Sequence, residues 1–197
     1  VNPEYTEMLG YQYANFEESV AAWFKRIHPD DLELVKQAYR DYIANKKEEF
    51  RAEFRQKKAN GDWCWTLSVG SIVERDKDGQ PVRFLGTVLD ISERKNNETI
   101  IWQQANIDTL TLLPNRRLFY DRLNQDLRTA RRTHSILAVL FIDLDFFKEV
   151  NDTLGHAIGD ALLIEAAQRI RGSVRAADTV ARLGGDEFTV SMPNQSD

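Results

Sequence analysis

The chain has a single cysteine, Cys64, in 197 residues. One thiol cannot close a disulfide within the chain or furnish a Cys-rich zinc site, and it fits a reducing cytoplasmic setting. Long apolar runs are missing too. The longest, Ile136 to Ile142, has seven residues, against the roughly 20 needed to span a bilayer. No membrane segment is expected in this stretch, and the residues after Val1 do not read as a signal peptide. A surplus of positive charge is also absent: 26 Lys and Arg stand against 31 Asp and Glu, a net charge of −5. Divided at residue 92, the two halves carry −3 and −2. Neither is a basic arm, which speaks against a nucleic-acid partner but not against a small phosphorylated ligand.

What is present is an ordinary globular composition, 42% apolar and 29% charged, enough for one large domain or two small ones. The first half reads as two helices, Ser19 to Arg26 and Asp30 to Ala44, followed by three strands. Pro29 disfavours helix at His28, and Asp30 or Asp31 can cap the second helix. Leu34, Ala38 and Tyr42 form its apolar face. Glu49 to Gln56 alternates, with Phe50, Ala52 and Phe54 on one side; Trp63 to Val73 and Val82 to Ile91 follow. Asn60-Gly61 and Asp76-Lys77-Asp78-Gly79 are hairpin turns, because Asn and Gly accept positive φ.

Ser92 to Asn106 contains no Gly or Pro and reads as a connecting helix. Its apolar side, Ile101 and Ala105, is too thin to hold a helix in water alone, so pairing with a second copy and a solvated linker are both open. The second half alternates helix and strand. Asn115 caps a helix with Phe119, Leu123, Leu127 and Ala130 on one face. Ile136 to Ile142 has the continuous apolar pattern of a strand buried on both faces. Leu162, Ala166 and Ile170 mark another helix. A strand from Thr179 to Leu183 then turns at Gly184-Gly185 into a hairpin with Glu187 to Met192.

The chemistry gathers at strand ends. Asp143 and Asp145 end the apolar strand on one shared face. A carboxylate there costs desolvation energy unless a cation or a donor satisfies it. Mg²⁺ fits, being held by one or two carboxylates plus substrate phosphates. Asp-x-Asp alone is a weak signal and reads better as a pair of capping or turn aspartates. A second acidic element shifts the balance: Arg182-Leu183-Gly184-Gly185-Asp186-Glu187-Phe188 sets two acids behind two glycines that let a phosphate approach the backbone. Two carboxylate sites at strand ends point to metal-assisted phosphoryl chemistry on a nucleotide.

Gly184-Gly185-Asp186-Glu187-Phe188 resembles the signature of the GGDEF diguanylate cyclase family. The resemblance spans residues 108–197. It includes Asp108-x-Leu110-Thr111-x-Leu113-Pro114-Asn115-Arg116, Asp143-x-Asp145-x-Phe147-Lys148-x-x-Asn151-Asp152, and Leu154-Gly155-His156-x-x-Gly159-Asp160. It implies condensation of two GTP into cyclic di-GMP and two pyrophosphates, with Mg²⁺ or Mn²⁺. Asp143, the Leu144 carbonyl, Asp186 and Glu187 would hold the metal, with Asp186 the base for the 3′-hydroxyl and Glu187 its support. Phe147 and Lys148 would contact phosphates, Asn151 and Asp160 the guanine edge, and Gly184 and Gly185 would let the nucleotide lie against the backbone. Arg175-Ala176-Ala177-Asp178 matches the family's Arg-x-x-Asp, and so implies an inhibitory site for cyclic di-GMP at Arg175 and Asp178. One GTP per domain implies a homodimer. Such domains run on past the signature hairpin, so 108–197 is expected to be C-terminally incomplete and, alone, a poor cyclase.

The first half resembles a PAS domain with its C-terminal motif. The resemblance rests on Trp23-Phe24-Lys25-Arg26-Ile27-His28-Pro29-Asp30-Asp31, Gly61-Asp62-x-x-Trp65, and Asp78-Gly79-x-Pro81-Val82 through Gly86-Thr87-Val88-x-Asp90-Ile91-Ser92-Glu93-Arg94-Lys95. It implies a sensor whose ligand stays unknown. Cys64 reads as a packed core residue, and none of His28, His134 and His156 reads as a haem ligand. The expected fold is α+β: a PAS domain (1–92) with a five-stranded antiparallel sheet and flanking helices, a helical connector (93–107), and part of a palm-like α/β sandwich (108–197). The expected function is a PAS-regulated diguanylate cyclase that dimerises through the PAS domain and connector. A catalytically silent domain that binds GTP or cyclic di-GMP and regulates a neighbour, and a pure dimerisation module, are the alternatives.

Overall fold

A computed structural model describes residues 2–16, 19–44, 47–79 and 81–195. The chain forms two compact units, Val1–Glu98 and Thr99–Asp197. In the first, α1 (Pro3–Met8), a 3₁₀ turn (Tyr13–Asn15), α2 (Val20–Lys25) and α3 (Pro29–Ile43) precede strands β1 (Phe50–Lys57), β2 (Trp63–Arg75) and β3 (Pro81–Asp90). The sheet is antiparallel in the order β1-β2-β3. Phe50, Ala52 and Phe54 face inward and are buried. They pack with Ile27, Val35 and Tyr42 beneath α2 and α3, so the alternation read in β1 is the core face.

The α+β expectation holds, but among the described residues this sheet has three strands, not five. The segment before α2 is helical: Asn2 caps α1 by accepting the Tyr5 amide, and Pro3 starts it, an arrangement that favours a first helical turn over a strand. Helix α3 differs in its cap. His28 does the capping, its Nδ1 accepting the Asp30 amide at 3.2 Å. Asp31 is instead committed to β1: it accepts the Arg55 amide at 2.9 Å and the guanidinium at 2.7 and 2.9 Å.

Helix α4 (Ser92–Asn106) follows. The second unit contains α5 (Arg116–Thr133), β4 (Ile136–Asp143), α6 (Phe147–Leu154), α7 (His156–Gly172), β5 (Thr179–Gly184) and β6 (Glu187–Gln195). Asn115 caps α5 as expected, accepting the Leu118 amide at 3.1 Å. The second sheet is antiparallel in the order β4-β6-β5. Its core is Leu113, Leu163, Ala167, Val180, Phe188 and Val190.

One reading of apolar pattern is corrected here and another is sharpened. Strand β4 is not buried on both faces. Among the described residues it pairs on one side only, with β6, and Ile136, Leu140 and Phe141 are exposed, Phe141 to 72%. A run of apolar residues records how much apolar surface a strand carries, not what covers it. In α7 the buried line is Gly159, Leu163 and Ala167. Leu162 is exposed, and Ala166 and Ile170 only border the core. An evenly apolar helix leaves its own phase ambiguous, and glycine at 159 decides it by permitting close approach.

Candidate active site at the ends of β4 and β6

Strand β6 lies between β4 and β5, and its register sets Asp143 directly across from Glu187. Asp186 occupies the two-residue turn that joins β5 to β6, where Gly184 pairs with Glu187. Gly185 has φ +52°, a conformation that an L side chain adopts only under strain. The register slips between Arg182 and Gly184, a bulge of the kind that redirects chain at a functional end. Leu183 supplies the extra residue, and its carbonyl accepts Arg116 Nε at 3.3 Å.

Three carboxylates thus meet beyond two neighbouring strands. The charge of Asp186 is the largest influence on Asp143, raising its carboxyl above the usual carboxylate range; burial, Glu187 and Asp145 add to it. Arg116 reaches Glu187 at 3.6 Å. Among the described residues, no group of three or more His, Cys, Asp or Glu side chains is gathered tightly enough to cage an ion. The donor set fits a cation shared with a ligand's oxygens, because carboxylates that oppose each other's ionisation are relieved by a divalent charge.

Beyond Asp143 the chain passes Leu144, whose carbonyl accepts the Phe147 amide at 3.2 Å. Phe146 takes up the left-handed conformation, φ +61°, and opens α6. Leu144 and Phe147 both turn their side chains to the core. The Phe147 ring is therefore a packing group, and its amide is taken up by the Leu144 carbonyl. Lys148 is exposed. Asn151 on α6 lies against Gly159 on α7 so closely that a methyl at 159 would overlap its amide oxygen. Asp160, the next residue, is exposed.

Arg175 and Asp178 stand apart from this group. They close the turn before β5, and the six residues of β5 separate it from the Gly184-Gly185 turn by about 20 Å. Asp178 is buried and accepts the Arg175 amide at 2.8 Å. The Arg175 side chain is exposed.

Four residues with no role in the sequence reading belong to the site's framework: Asp108, Arg116, Gly159 and Arg182. Burial alone would raise Asp108, but the Thr111 hydroxyl and amide and the Arg182 guanidinium outweigh it and hold the carboxyl below its usual range. The signals were a glycine inside a helical pattern, which costs about 1 kcal/mol unless packing requires it, and charged residues that open or close the quoted motifs.

Comparison with known proteins places both units. The model of the diguanylate cyclase GGDEF domain matches residues 105–197, and that of the PAS fold matches residues 1–88. The uncharacterized protein y4lL of Sinorhizobium fredii is 36% identical over 178 residues, 85% of this chain and 21% of that protein. Diguanylate cyclase TpbB of Pseudomonas aeruginosa is 60% identical over 89 residues, 45% of this chain and 20% of that protein. The chain thus spans about a fifth of the length of these relatives. Among solved structures, the coiled coil and GGDEF domain of DgcB from Caulobacter crescentus, in complex with c-di-GMP, is 28% identical with a TM-score of 0.51, over 54% of this chain and 56% of that one. Residues 1–88 belong to the PAS fold family and residues 105–197 to the GGDEF domain family of diguanylate cyclases.

Proposed function

We propose that the chain is the sensor and front catalytic part of a diguanylate cyclase that condenses two GTP into cyclic di-GMP. The observation that carries this reading is the juxtaposition of Asp143 with Glu187 across β4 and β6, with Asp186 in the adjoining turn. Asp143, the Leu144 carbonyl, Asp186 and Glu187 are the groups assigned to a divalent cation, Mg²⁺ or Mn²⁺. When bound, that ion supplies charge neutralisation of the triphosphate. The chain's own contribution is positioning. The glycine turn leaves backbone open to phosphate, and Asp186 lies where it can accept a proton from a ribose 3′-hydroxyl. Lys148 is an exposed cation at the start of α6 for phosphate contact. Asn151 and Asp160 offer acceptors that suit the N1–H and N2–H donors of guanine.

One nucleotide per domain makes a second copy part of the reaction. Helix α4 supports pairing, because Ile100, Ile101 and Trp102 are exposed on it to 49, 65 and 51%. In this reading the PAS unit acts through α4 on how two catalytic units meet. Arg175 and Asp178 bind the product and restrain the enzyme. The turn they form is held by the Arg175 amide, which donates to an Asp178 carboxylate oxygen at 2.8 Å.

The test is GTP turnover by the full-length parent with Mg²⁺, beside Asp143→Ala. Removing a metal ligand should lower turnover at least about 10³-fold, since metal charge stabilisation is worth several kcal/mol. The melting temperature should hold, because the substitution takes away a repelled charge. Turnover retained in Asp143→Ala sinks the assignment.

A further inference from the structure

The turn that carries Asp186 makes little contact of its own. A methyl built on Gly184 or Gly185 would meet nothing within 4 Å, so no packing against these two positions holds the turn. A buried arginine does. Arg182 has a side chain only 11% exposed. Its Nε and Nη2 both donate to the Gly185 carbonyl, at 2.9 and 2.7 Å. Its Nη1 donates to both oxygens of Asp108, at 3.1 and 3.2 Å. The Gly185 carbonyl lies in the peptide plane that joins Gly185 to Asp186. Two donors on that oxygen fix the plane, and with it the direction in which Asp186 leaves the turn.

Asp108 anchors the other side of the fork. It accepts the Thr111 amide at 2.8 Å and hydroxyl at 2.7 Å, and its own amide donates to the Leu113 carbonyl at 2.8 Å. The same loop is stitched to the last turn of α4. Asn115 donates its amide to the Asn106 carbonyl at 2.9 Å and its side-chain Nδ2 to the Ala105 carbonyl at 3.0 Å. The Arg182 amide closes the circuit on the Pro114 carbonyl at 3.0 Å. An unbroken set of hydrogen bonds therefore runs from the end of α4 through the 107–115 loop to the Gly185–Asp186 peptide.

We propose that Arg182, backed by Asp108, is a positioning residue: it fixes the Gly185–Asp186 peptide and so aims Asp186 at Asp143, and it ties that aim to the last turn of α4. Its catalytic meaning rests on the proposed function; the clamp on the turn does not. Arginine is needed because lysine brings one charge without a fork that can hold a carbonyl and a carboxylate together.

The test compares the 197-residue chain with Arg182→Lys, Asp108→Asn and the double variant. Amide hydrogen exchange is followed residue by residue, and Mn²⁺ affinity is measured in the presence of a non-hydrolysable GTP analogue. Arg182→Lys should speed exchange at the Asp186 and Glu187 amides about tenfold or more, leaving β6 core amides such as Val190 within about twofold, the pattern of a local opening. Mn²⁺ affinity should fall about tenfold, the value of one charge-assisted hydrogen bond. Asp108→Asn should give a smaller change of the same kind, and the double variant should exceed Arg182→Lys little, since the two act as one unit. Unchanged exchange in the turn, or an equal rise throughout the second unit, overturns the proposal. If Arg182→Lys does not fold, Asp108→Asn decides by the same readout. Faster exchange confined to the turn in a chain that binds no Mn²⁺ with the analogue upholds the clamp, and the cyclase reading is decided separately by GTP turnover of the full-length parent.

Discussion

The two units treat their carboxylates in opposite ways. In Val1–Glu98, each carboxylate that departs from its ordinary range is held below it. The Arg55 fork does this for Asp31, and Lys95 and Arg94 do it for Glu53. In Thr99–Asp197, Asp108 is held down likewise, yet Asp143 is pushed up by Asp186. Packing differs in the same direction. Edge-on rings interlock the first core: Trp23 meets Phe50 and Phe54 at 5.8 and 5.6 Å, and Tyr42 and Phe50 both meet Phe84. The second core has one fully buried aromatic among its named members, Phe188, and leaves β4 largely exposed. Charges that are all matched hold a fold together. An acidic group raised by its acidic neighbours at a strand end is what the proposed cation site requires.

The largest stability effect should come from the core of the first unit. Phe54→Ala empties a fully buried position and should cost about 3–5 kcal/mol. Phe141→Ala in the exposed β4 should stay within about 0.5 kcal/mol. Denaturant titration suits the comparison, followed by tryptophan fluorescence for Phe54→Ala, since Trp23, Trp63 and Trp65 lie in the first unit, and by far-UV circular dichroism for Phe141→Ala in the second. Equal losses from the two substitutions would mean that the contrast in packing is false.

The next effect is one of pH. The Arg55 hydrogen bonds lower the Asp31 carboxyl against the opposing influence of burial. A carboxylate lowered by folding adds stability above its unfolded value, near 3.9, and that stability is lost as pH falls through the folded value. Asp31→Asn should therefore cost about 2 kcal/mol at pH 7, in the range of hydrogen bonds to a charged group. The gap between wild type and variant should close as the solution is acidified toward and below the folded value. A gap that persists unchanged into strong acid would show that Asp31 acts through shape and not charge.

How much of this was legible depends on the kind of signal. The signature turn, the Asn115 cap, the hairpins and the inward face of β1 follow from local rules about φ, capping and alternation, and the structure has them where those rules put them. Burial was less legible. The seven apolar residues of β4 look like a central strand, but coverage is a property of neighbours and not of the strand. Leu162, Ala166 and Ile170 marked α7 as a helix, but which side is buried was not legible, because a helix apolar on several sides has no single phase. The His28 cap was missed because Asp31 had a stronger partner, Arg55, 24 residues away. Arg182 and Asp108 were missed for the same reason: 74 residues separate them, and only the fold brings them together.

The smallest predicted effect tests the contrast at a glycine in each unit. A methyl at Gly70 would overlap the Phe84 ring, an apolar obstacle inside the first sheet. A methyl at Gly159 would overlap the Asn151 amide oxygen, with Phe147 Cζ 3.3 Å away. Gly159→Ala gains about 1 kcal/mol of helix propensity, and crowding opposes it by about 1–3 kcal/mol. The net loss should be about 1 kcal/mol, with Asn151 turned from its place. In an Asn151→Ala background the obstacle is gone, and the same change should become neutral or mildly stabilising. The sign reversal is read by thermal melts of the four chains. On the proposed role of Asn151 at the guanine edge, GTP-analogue affinity should fall in Gly159→Ala as in Asn151→Ala, because both displace the Asn151 amide. If Gly159→Ala costs the same in both backgrounds, the close approach of α6 and α7 at this point is set by backbone alone. The glycine would then serve packing, as Gly70 does, and not the placement of Asn151.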